Sequence, residues 1–341
     1  FFTISTKTIE RRINLQIMKI VAFQKSTYFL LRHVRQPETD RARAPQNRVN
    51  FTCEKCGVAD FFLFSFTCSN FILLSHTLFM MKKVLLIGSG GVGTIAAYTL
   101  DLCKDIEVTT VVRSDYTTVV ENGYKIESVD YGDIACYRPS NIVRSIDDAL
   151  GVIYDYVVIS TKNTPDILKL EDLVQDVISE STVIVLLQNG INIEEAFFTR
   201  FPENVVLSGV SMILSTNYNG IISHVGHDSL KVGYFHNSNI PLELQEKAAL
   251  DFVDFYKTEK NTCIYDPDVK FTRWNKLVYN ATLNPICALT LVDVGRLEMF
   301  GGVDSLVRGA MKEVLAVAKA DGVHLPETVM EEMIRSDDGV Y

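Results

Sequence analysis

The pattern of apolar and polar positions becomes regular only from about Met81 onward. An apolar run at 84–87 is followed by a glycine-rich turn and then by apolar positions at helical spacing. A second strand is predicted at 108–113, and the runs at 156–159 and 183–187 are continuous and apolar, which is typical of parallel strands buried on both faces. Strands that alternate with helices predict an α/β fold with a Rossmann-type doubly wound sheet.

Toward the end of the chain only helical spacing remains. An amphipathic stretch at 242–256 is followed by one long predicted helix at 271–289, and another amphipathic helix is predicted at 327–334. The face expected to point into a core carries Trp274, Leu277, Val278, Leu283 and Ile286. We therefore predict a Rossmann domain at 81–265 and an all-helical domain for substrate binding or dimerisation at 266–341. We expect an exposed apolar face at 311–317, which favours a homodimer or instability.

The first eighty residues differ in composition from the rest. They contain 11 of the 19 Phe but one of the 19 Gly, and no periodicity persists through them. We interpret 1–80 as a leader outside the fold, translated ahead of a start at Met80 or Met81. A weak membrane anchor at 61–80, a disordered leader and a transit peptide are alternatives. Cys53 and Cys56 lack a second pair at zinc-site spacing, so no metal is expected.

Charge and cysteine content narrow the class of protein. Residues 1–80 hold 11 of the 33 Lys and Arg but 5 of the 42 Asp and Glu, so this part is net +6 and the remainder net −15. An acidic body repels nucleic acid, so nucleic-acid binding is not expected. Polar residues dilute the apolar stretch at 61–80, so no membrane partner is expected either. Seven cysteines, an odd number without a framework, indicate reduced thiols and a cytoplasmic location.

The glycine-rich turn has the GxGxxG spacing of a dinucleotide site between a strand and a helix. The residues predicted to hold the cofactor are Gly88, Ser89, Gly90, Gly91, Val92 and Gly93. Such glycines allow a tight turn, close approach of the pyrophosphate and close packing of helix on strand. The helix N-terminus then presents free N–H groups to the phosphates.

Arg113, at the end of the second predicted strand, indicates the choice of cofactor. NAD enzymes place an acidic residue there, whereas a guanidinium suits the 2′-phosphate of NADPH. In the alternative interpretation, Arg113 is a solvated surface charge and Asp115 binds the ribose. We expect NADPH.

Polar residues also follow two later strands and interrupt the long helix. Lys162 and Asn189 come after the runs at 156–159 and 183–187, where ligands bind in such sheets, although a surface lysine and a turn asparagine are equally good readings. Lys276, Asn280 and Asn284 are spaced by four and line one helix side. They form either a structural network or a site in which a lysine of labile pKa donates a proton.

In these features the chain resembles the ketopantoate reductase (2-dehydropantoate 2-reductase) family. The motifs occur in the family's order at 88–93, 161–162, 188–190 and 276–285, and a hairpin at 220–226 is also similar. The resemblance implies that Lys276 donates the proton and that Asn280 and Asn284 hold substrate. It also implies that Asn189 lies between nicotinamide and substrate, and that Lys162 and Ser215 lie against NADPH. The implied reaction reduces 2-dehydropantoate to pantoate, for coenzyme A synthesis.

The sequence departs from that family in two places. Val294 stands where the family has another substrate-binding Asn, and the family's helical domain continues past the position of Tyr341 with a Ser and a Glu for the site. We therefore expect the 341-residue chain to bind NADPH but to reduce ketopantoate more slowly than an extended version. Alternatives are a reductase of another oxo acid, a 3-hydroxyacid or glycerol-phosphate dehydrogenase, and a non-catalytic NADP-binding protein.

Overall fold

The computed structural model describes residues 81–336. The predictions for the leader at 1–80, including Cys53, Cys56 and the apolar stretch 61–80, lie outside the described residues, as do residues 337–341. The described residues belong to one compact unit. The division into two domains at residue 265 therefore stays a prediction. No helix in 81–336 has the length and apolar character needed to cross a membrane.

The central element is an eight-stranded sheet with the order β12-β11-β8-β7-β6-β1-β2-β5. Its strands are β1 (Lys82–Ile87), β2 (Ile106–Val111), β5 (Asn141–Val143), β6 (Tyr156–Ile159), β7 (Val183–Leu186), β8 (Val206–Met212), β11 (Ser229–Tyr234) and β12 (Thr262–Tyr265). The strands from β8 to β5 are mutually parallel, and β11 runs antiparallel to β8. The predicted α/β class and doubly wound sheet are confirmed.

The position of β1 between β2 and β6 determines where a ligand can bind. The chain leaves β1 on one side to form β2 and later returns on the other side to form β6. In open α/β sheets such a reversal leaves a crevice at the carboxyl ends of the strands. The loops after β1, β2, β6 and β7 all meet at this edge of the sheet.

A second, four-stranded sheet was not predicted beyond one hairpin. Its order is β4-β3-β10-β9, formed by β3 (Tyr124–Ser128), β4 (Gly132–Tyr137), β9 (Ser215–Tyr218) and β10 (Ile221–His224). The hairpin of β9 and β10 turns at Asn219 and Gly220, which both have positive φ. The short strands lie far apart in sequence, and β3 pairs in parallel with β10, so local patterns could not show the sheet.

Helices cover the main sheet and form the C-terminal region. They are α1 (Gly91–Asp101), α2 (Tyr116–Asn122), α3 (Leu170–Leu173), α4 (Glu195–Arg200), α5 (Leu242–Tyr256), α6 (Val269–Asn280), α7 (Leu283–Thr290), α8 (Val294–Met299), α9 (Arg308–Ala320) and α10 (Thr328–Arg335). Short 3₁₀ turns occur at Asp147–Ala149 and Gln175–Val177, and a π-helical turn at Val303–Val307 precedes α9.

The prediction of one continuous helix at 271–289 is wrong. The helix ends at Asn280 and a new one starts at Leu283, because Pro285 has no N–H to donate to the carbonyl of Ala281. At the break, the Thr282 hydroxyl donates a 2.6 Å hydrogen bond to the carbonyl of Val278 and lies buried. The sequence indicated a kink at Pro285, and the structure contains a full break.

The expectation of an exposed apolar face at 311–317 is also wrong. Met311 is fully buried in a helical core, and Val314, Leu315 and Val317 pack against that core or its neighbour. Val294, which is the first residue of α8, lies in the same helical core. The most exposed apolar side chains of the C-terminal region lie elsewhere, at Leu289, Leu291, Met299, Phe300 and Leu306.

Candidate active site

The glycine loop after β1 has the geometry of a dinucleotide turn. Gly88 has φ of +113°, and a Cβ at this position would lie 2.7 Å from the amide nitrogen of Thr161. A Cβ on Gly93 would collide with the carbonyl oxygen of Gly88, so only glycine lets α1 pack this closely on β1. The Ser160 hydroxyl donates a 2.7 Å hydrogen bond to the same carbonyl and fixes the turn.

The start of α1 fits a bound phosphate group. Gly90 is the N-cap and has no capping side chain, and a Cβ on it would face open space. The first hydrogen bond of the helix runs from the Thr94 N–H to the carbonyl of Gly90, at 2.9 Å. The N–H groups of Gly91, Val92 and Gly93 therefore have no partner within the helix and can bind an anion.

Two further predicted cofactor residues flank this loop. Ser215, the first residue of β9, packs so closely on Gly91 that a Cβ on that glycine would overlap its carbonyl group. The Ser215 hydroxyl is buried and has no hydrogen-bond partner. Lys162 is exposed in the loop after β6, whose residue Thr161 accepts a 2.7 Å hydrogen bond from the Gln188 side chain.

Arg113 and Asp115 lie beyond the carboxyl end of β2 in different environments. Arg113 is exposed, whereas Asp115 accepts a 2.9 Å hydrogen bond from the Asn217 side-chain amide. The same amide donates to the Ser89 carbonyl at 2.8 Å, so Asn217 ties the glycine loop to the hairpin of β9 and β10. Asp115 is thus engaged within the protein, while the guanidinium of Arg113 is accessible to a ligand.

A small pocket lies between the loop after β7, strand β8 and helix α6. The residues that line it are Gln188, Asn189, Gly190, Val210, Arg273, Lys276, Leu277 and Asn280. Two of these side chains carry a positive charge, and none of these lining residues is acidic. Three of the predicted site residues, Asn189, Lys276 and Asn280, are thus brought together on one surface.

Lys276 is half-buried, and its ammonium group donates a hydrogen bond to the backbone carbonyl of Ser211 on β8. Burial, together with the positive charge of Arg273, lowers the pKa of Lys276 to about 8. An amine in this range is protonated at neutral pH and can also release its proton readily.

Asn284 lies outside the pocket because the helix breaks before it. Its side-chain amide donates a 3.1 Å hydrogen bond to the side-chain oxygen of Asn280. Asn284 is exposed on α7 and can therefore orient Asn280 rather than line the same surface. The spacing of four residues predicted a single row, and Pro285 is the reason that the row is interrupted.

Arg273 is a site residue that the sequence interpretation missed. It is only 5% exposed and donates four hydrogen bonds, to the Ser208 hydroxyl and to the carbonyls of Leu186, Gln188 and Gly190, at 2.7 to 3.2 Å. Its guanidinium also lies 4.9 Å from the centre of the Phe235 ring. The available signal was its position three residues before Lys276, on the same side of the helix.

Within 81–336, no group of three or more His, Cys, Asp or Glu side chains is arranged to hold a metal ion. The candidate site has two parts, both near the carboxyl edge of the main sheet. One is the set of free backbone N–H groups at the start of α1, and the other is the positively charged pocket beside α6.

Comparison with known families identifies the class of protein. The family model "Ketopantoate reductase PanE/ApbA" matches residues 84–237, and the model of its C-terminal region matches residues 268–338. The chain belongs to the ketopantoate reductase family. It is therefore an oxidoreductase from a family with a Rossmann fold and a nicotinamide cofactor.

Individual relatives include an uncharacterized protein, a 2-dehydropantoate 2-reductase and a D-mandelate dehydrogenase. An uncharacterized protein of Saccharomyces cerevisiae is 37% identical, over 75% of this chain and 79% of its own length. The crystal structure of 2-dehydropantoate 2-reductase from Methylococcus capsulatus has 30% identity and a TM-score of 0.60, over 74% of this chain and 79% of that one. A ternary structure of D-mandelate dehydrogenase with NADH and anilino(oxo)acetate shares the fold, with 20% identity and a TM-score of 0.63, over 76% and 81% of the chains.

Proposed function

We propose that the protein is an NADPH-dependent reductase of a small 2-oxo acid, with 2-dehydropantoate as the first candidate substrate and pantoate as the product. The observation that carries the proposal is the pocket at α6, where Lys276 and Arg273 place two positive charges without a carboxylate among the lining residues. A partly buried site of this charge favours an anionic ligand. A 2-oxo acid supplies a carboxylate that suits this charge and a ketone that can accept the Lys276 proton.

The residues around α1 fit the cofactor. The free N–H groups at Gly91, Val92 and Gly93 suit a pyrophosphate, and the open space at Gly90 leaves room for it. The accessible guanidinium of Arg113 suits a 2′-phosphate better than a ribose hydroxyl, which favours NADPH. Lys162 and Ser215 are proposed to complete this side of the site. When bound, the cofactor supplies the hydride.

The side chains of the pocket perform the remaining tasks. Lys276 holds a proton on Nζ close to neutral pH and delivers it to the ketone oxygen as negative charge develops there. Asn280 and Asn189 are proposed to orient the substrate through their carboxamides, and Asn284 holds Asn280 in place. Arg273 keeps the pocket positive, because four of its five N–H donors are directed to neutral oxygens.

A second candidate is a reductase of a different 2-oxo acid that uses NADH. The likeness to D-mandelate dehydrogenase, whose structure holds NADH and an oxo acid, favours this alternative, as does Val294 in place of a family carboxamide. Val294 packs in the helical core, so its position offers no polar group to a substrate.

The test is an initial-rate screen of NADPH and NADH oxidation. Ketopantoate, an aryl 2-oxo acid such as benzoylformate, and a 3-oxo acid are compared on the full chain, with Lys276→Ala as the control. We expect the highest kcat/KM for ketopantoate with NADPH, and a kcat lower by a factor of about 10² to 10⁴ in the variant. Turnover of benzoylformate but not ketopantoate would favour the second candidate, and cofactor binding without any turnover would refute both.

A further inference from the structure

The contacts of Arg273 give it a role that none of the family motifs assigns. It lies on α6, one helical turn before Lys276, and both side chains reach β8, at Ser208 and Ser211 respectively. Arg273 also contacts the carbonyl of Leu186 at the end of β7 and two carbonyls of the following loop. One side chain therefore joins the helix that carries Lys276 to the loop that carries Asn189.

A substrate-binding role for Arg273 conflicts with these contacts. Four of its five donors are already bonded within the protein, and the ring of Phe235 lies 4.9 Å from the guanidinium carbon. The guanidinium is held in place by these bonds and has one free N–H group, whereas a substrate carboxylate would need two parallel N–H groups. Its charge remains available to act over a short distance.

We propose that Arg273 is a positioning residue that fixes Lys276 and the 188–190 loop relative to each other and holds a second positive charge beside the Lys276 amine. The inference rests on the proposed function only in naming Lys276 as the proton donor.

The charged groups around this pair are few and act mainly on Arg273. Glu194, before α4, and Asp266, before α6, both attract its positive charge. Burial lowers the pKa of Arg273 to about 10, so the guanidinium stays charged at neutral pH. For Lys276, burial comes first and the charge of Arg273 second in lowering its pKa to about 8. Removal of Arg273 therefore raises the pKa of Lys276 without restoring the value of a free lysine.

The experiment measures the protonation of Lys276 directly and needs no substrate. The full chain is carbamylated briefly with cyanate across a pH series, and mass spectrometry follows modification of Lys276. The variants are Arg273→Met, without charge, Arg273→Lys, with the charge kept, and the control Arg296→Met, which removes an exposed arginine. Hydrogen exchange of the peptide covering 188–190 is recorded on the same proteins.

We expect a midpoint near pH 8 in the parent and a rise of about one unit in Arg273→Met, the effect of removing a nearby like charge. Arg273→Lys is expected to keep the parent midpoint, because the charge is retained. Hydrogen exchange at 188–190 should be faster in both Arg273→Lys and Arg273→Met, because neither has the guanidinium that bonds the carbonyls of this loop. Arg296→Met should match the parent in both measurements.

An unchanged midpoint and unchanged exchange in folded Arg273→Met would overturn the proposal, as would the same changes in Arg296→Met. If Arg273→Met does not fold, Arg273→Gln, also uncharged but able to donate to a carbonyl, replaces it under the same criteria. If the parent turns over no oxo acid, the proposed function fails while the labelling midpoints still decide the role of Arg273.

Discussion

The glycine loop at α1 and the pocket at α6 both lie near the carboxyl edge of the main sheet, yet the loop presents backbone groups and the pocket presents charged side chains. The loop consists of backbone groups made accessible by missing side chains, as at Gly88 and Gly93. The pocket depends on two cations, the buried Arg273 and the half-buried Lys276, whose surroundings come from β7, β8 and α6. The comparison shows that a site of backbone groups is specified locally, whereas a site of buried charges is specified by the tertiary fold.

This difference explains what the sequence could predict. Four main-sheet strands (β1, β2, β6 and β7), the helix at Leu242–Tyr256 and the glycine turn follow from short-range patterns, and the structure contains them. β1 starts two residues earlier than predicted and β2 lies two residues earlier, whereas β5, β8, β11 and β12 were not predicted. Arg273 was missed because an arginine on an amphipathic helix is normally solvated. Its four partners lie 65 to 87 residues away in sequence. The second sheet has the same kind of non-local origin, since β3 pairs with β10 about 96 residues away. The break at Ala281–Thr282 is local, and the sequence signal for it was Pro285.

The largest effect is expected for Lys276→Ala, which should lower the reaction rate without weakening cofactor binding at the glycine loop. Lys276→Ala should reduce kcat for the proposed reaction by a factor of about 10² to 10⁴, because it removes a proton donor and a charge near the developing alkoxide. NADPH affinity, measured by fluorescence titration, should change by less than about threefold, since α1 is untouched. Activity within a few-fold of the parent would place the proton donor elsewhere.

The reverse experiment disturbs the loop and leaves the pocket intact. Gly93→Ala puts a Cβ into the carbonyl of Gly88, so we expect a loss of about 1–3 kcal/mol in the free energy of unfolding together with weaker cofactor binding. Gly309→Ala on α9 is the matched control, because a Cβ there meets open space. It should be neutral or stabilising by up to about 1 kcal/mol. Equal effects of the two substitutions in urea unfolding would contradict the close packing at Gly93.

A charge reversal at Arg113, beyond the carboxyl end of β2, tests the choice between NADPH and NADH. Arg113→Asp should reduce the preference for NADPH over NADH by about 10- to 100-fold, the range for charge-assisted hydrogen bonds to a phosphate. Arg138→Asp serves as a control, since that arginine bonds to Glu121 and Cys136 away from the strand ends of the crevice. A parent protein with equal affinity for both cofactors would remove the basis for this prediction.

The pocket also predicts a dependence on pH. Reduction requires protonated Lys276, and its pKa is lowered to about 8, so kcat/KM should be constant below that pH and decline above it by about tenfold per unit. The profile is obtained from initial rates with ketopantoate at saturating NADPH. A rate that stays level to pH 10 would show that Lys276 does not supply the proton.

The central claim is that the two cations of the pocket, Arg273 and Lys276, select an anionic oxo acid. It is tested most directly by comparing ketopantoate with ketopantoyl lactone, which offers a ketone in a similar frame but carries no charge. The account predicts that kcat/KM with NADPH is about a hundredfold or more higher for the acid, consistent with the free energy of a charge-assisted contact in a largely buried site. Equal kcat/KM for the two compounds would contradict it.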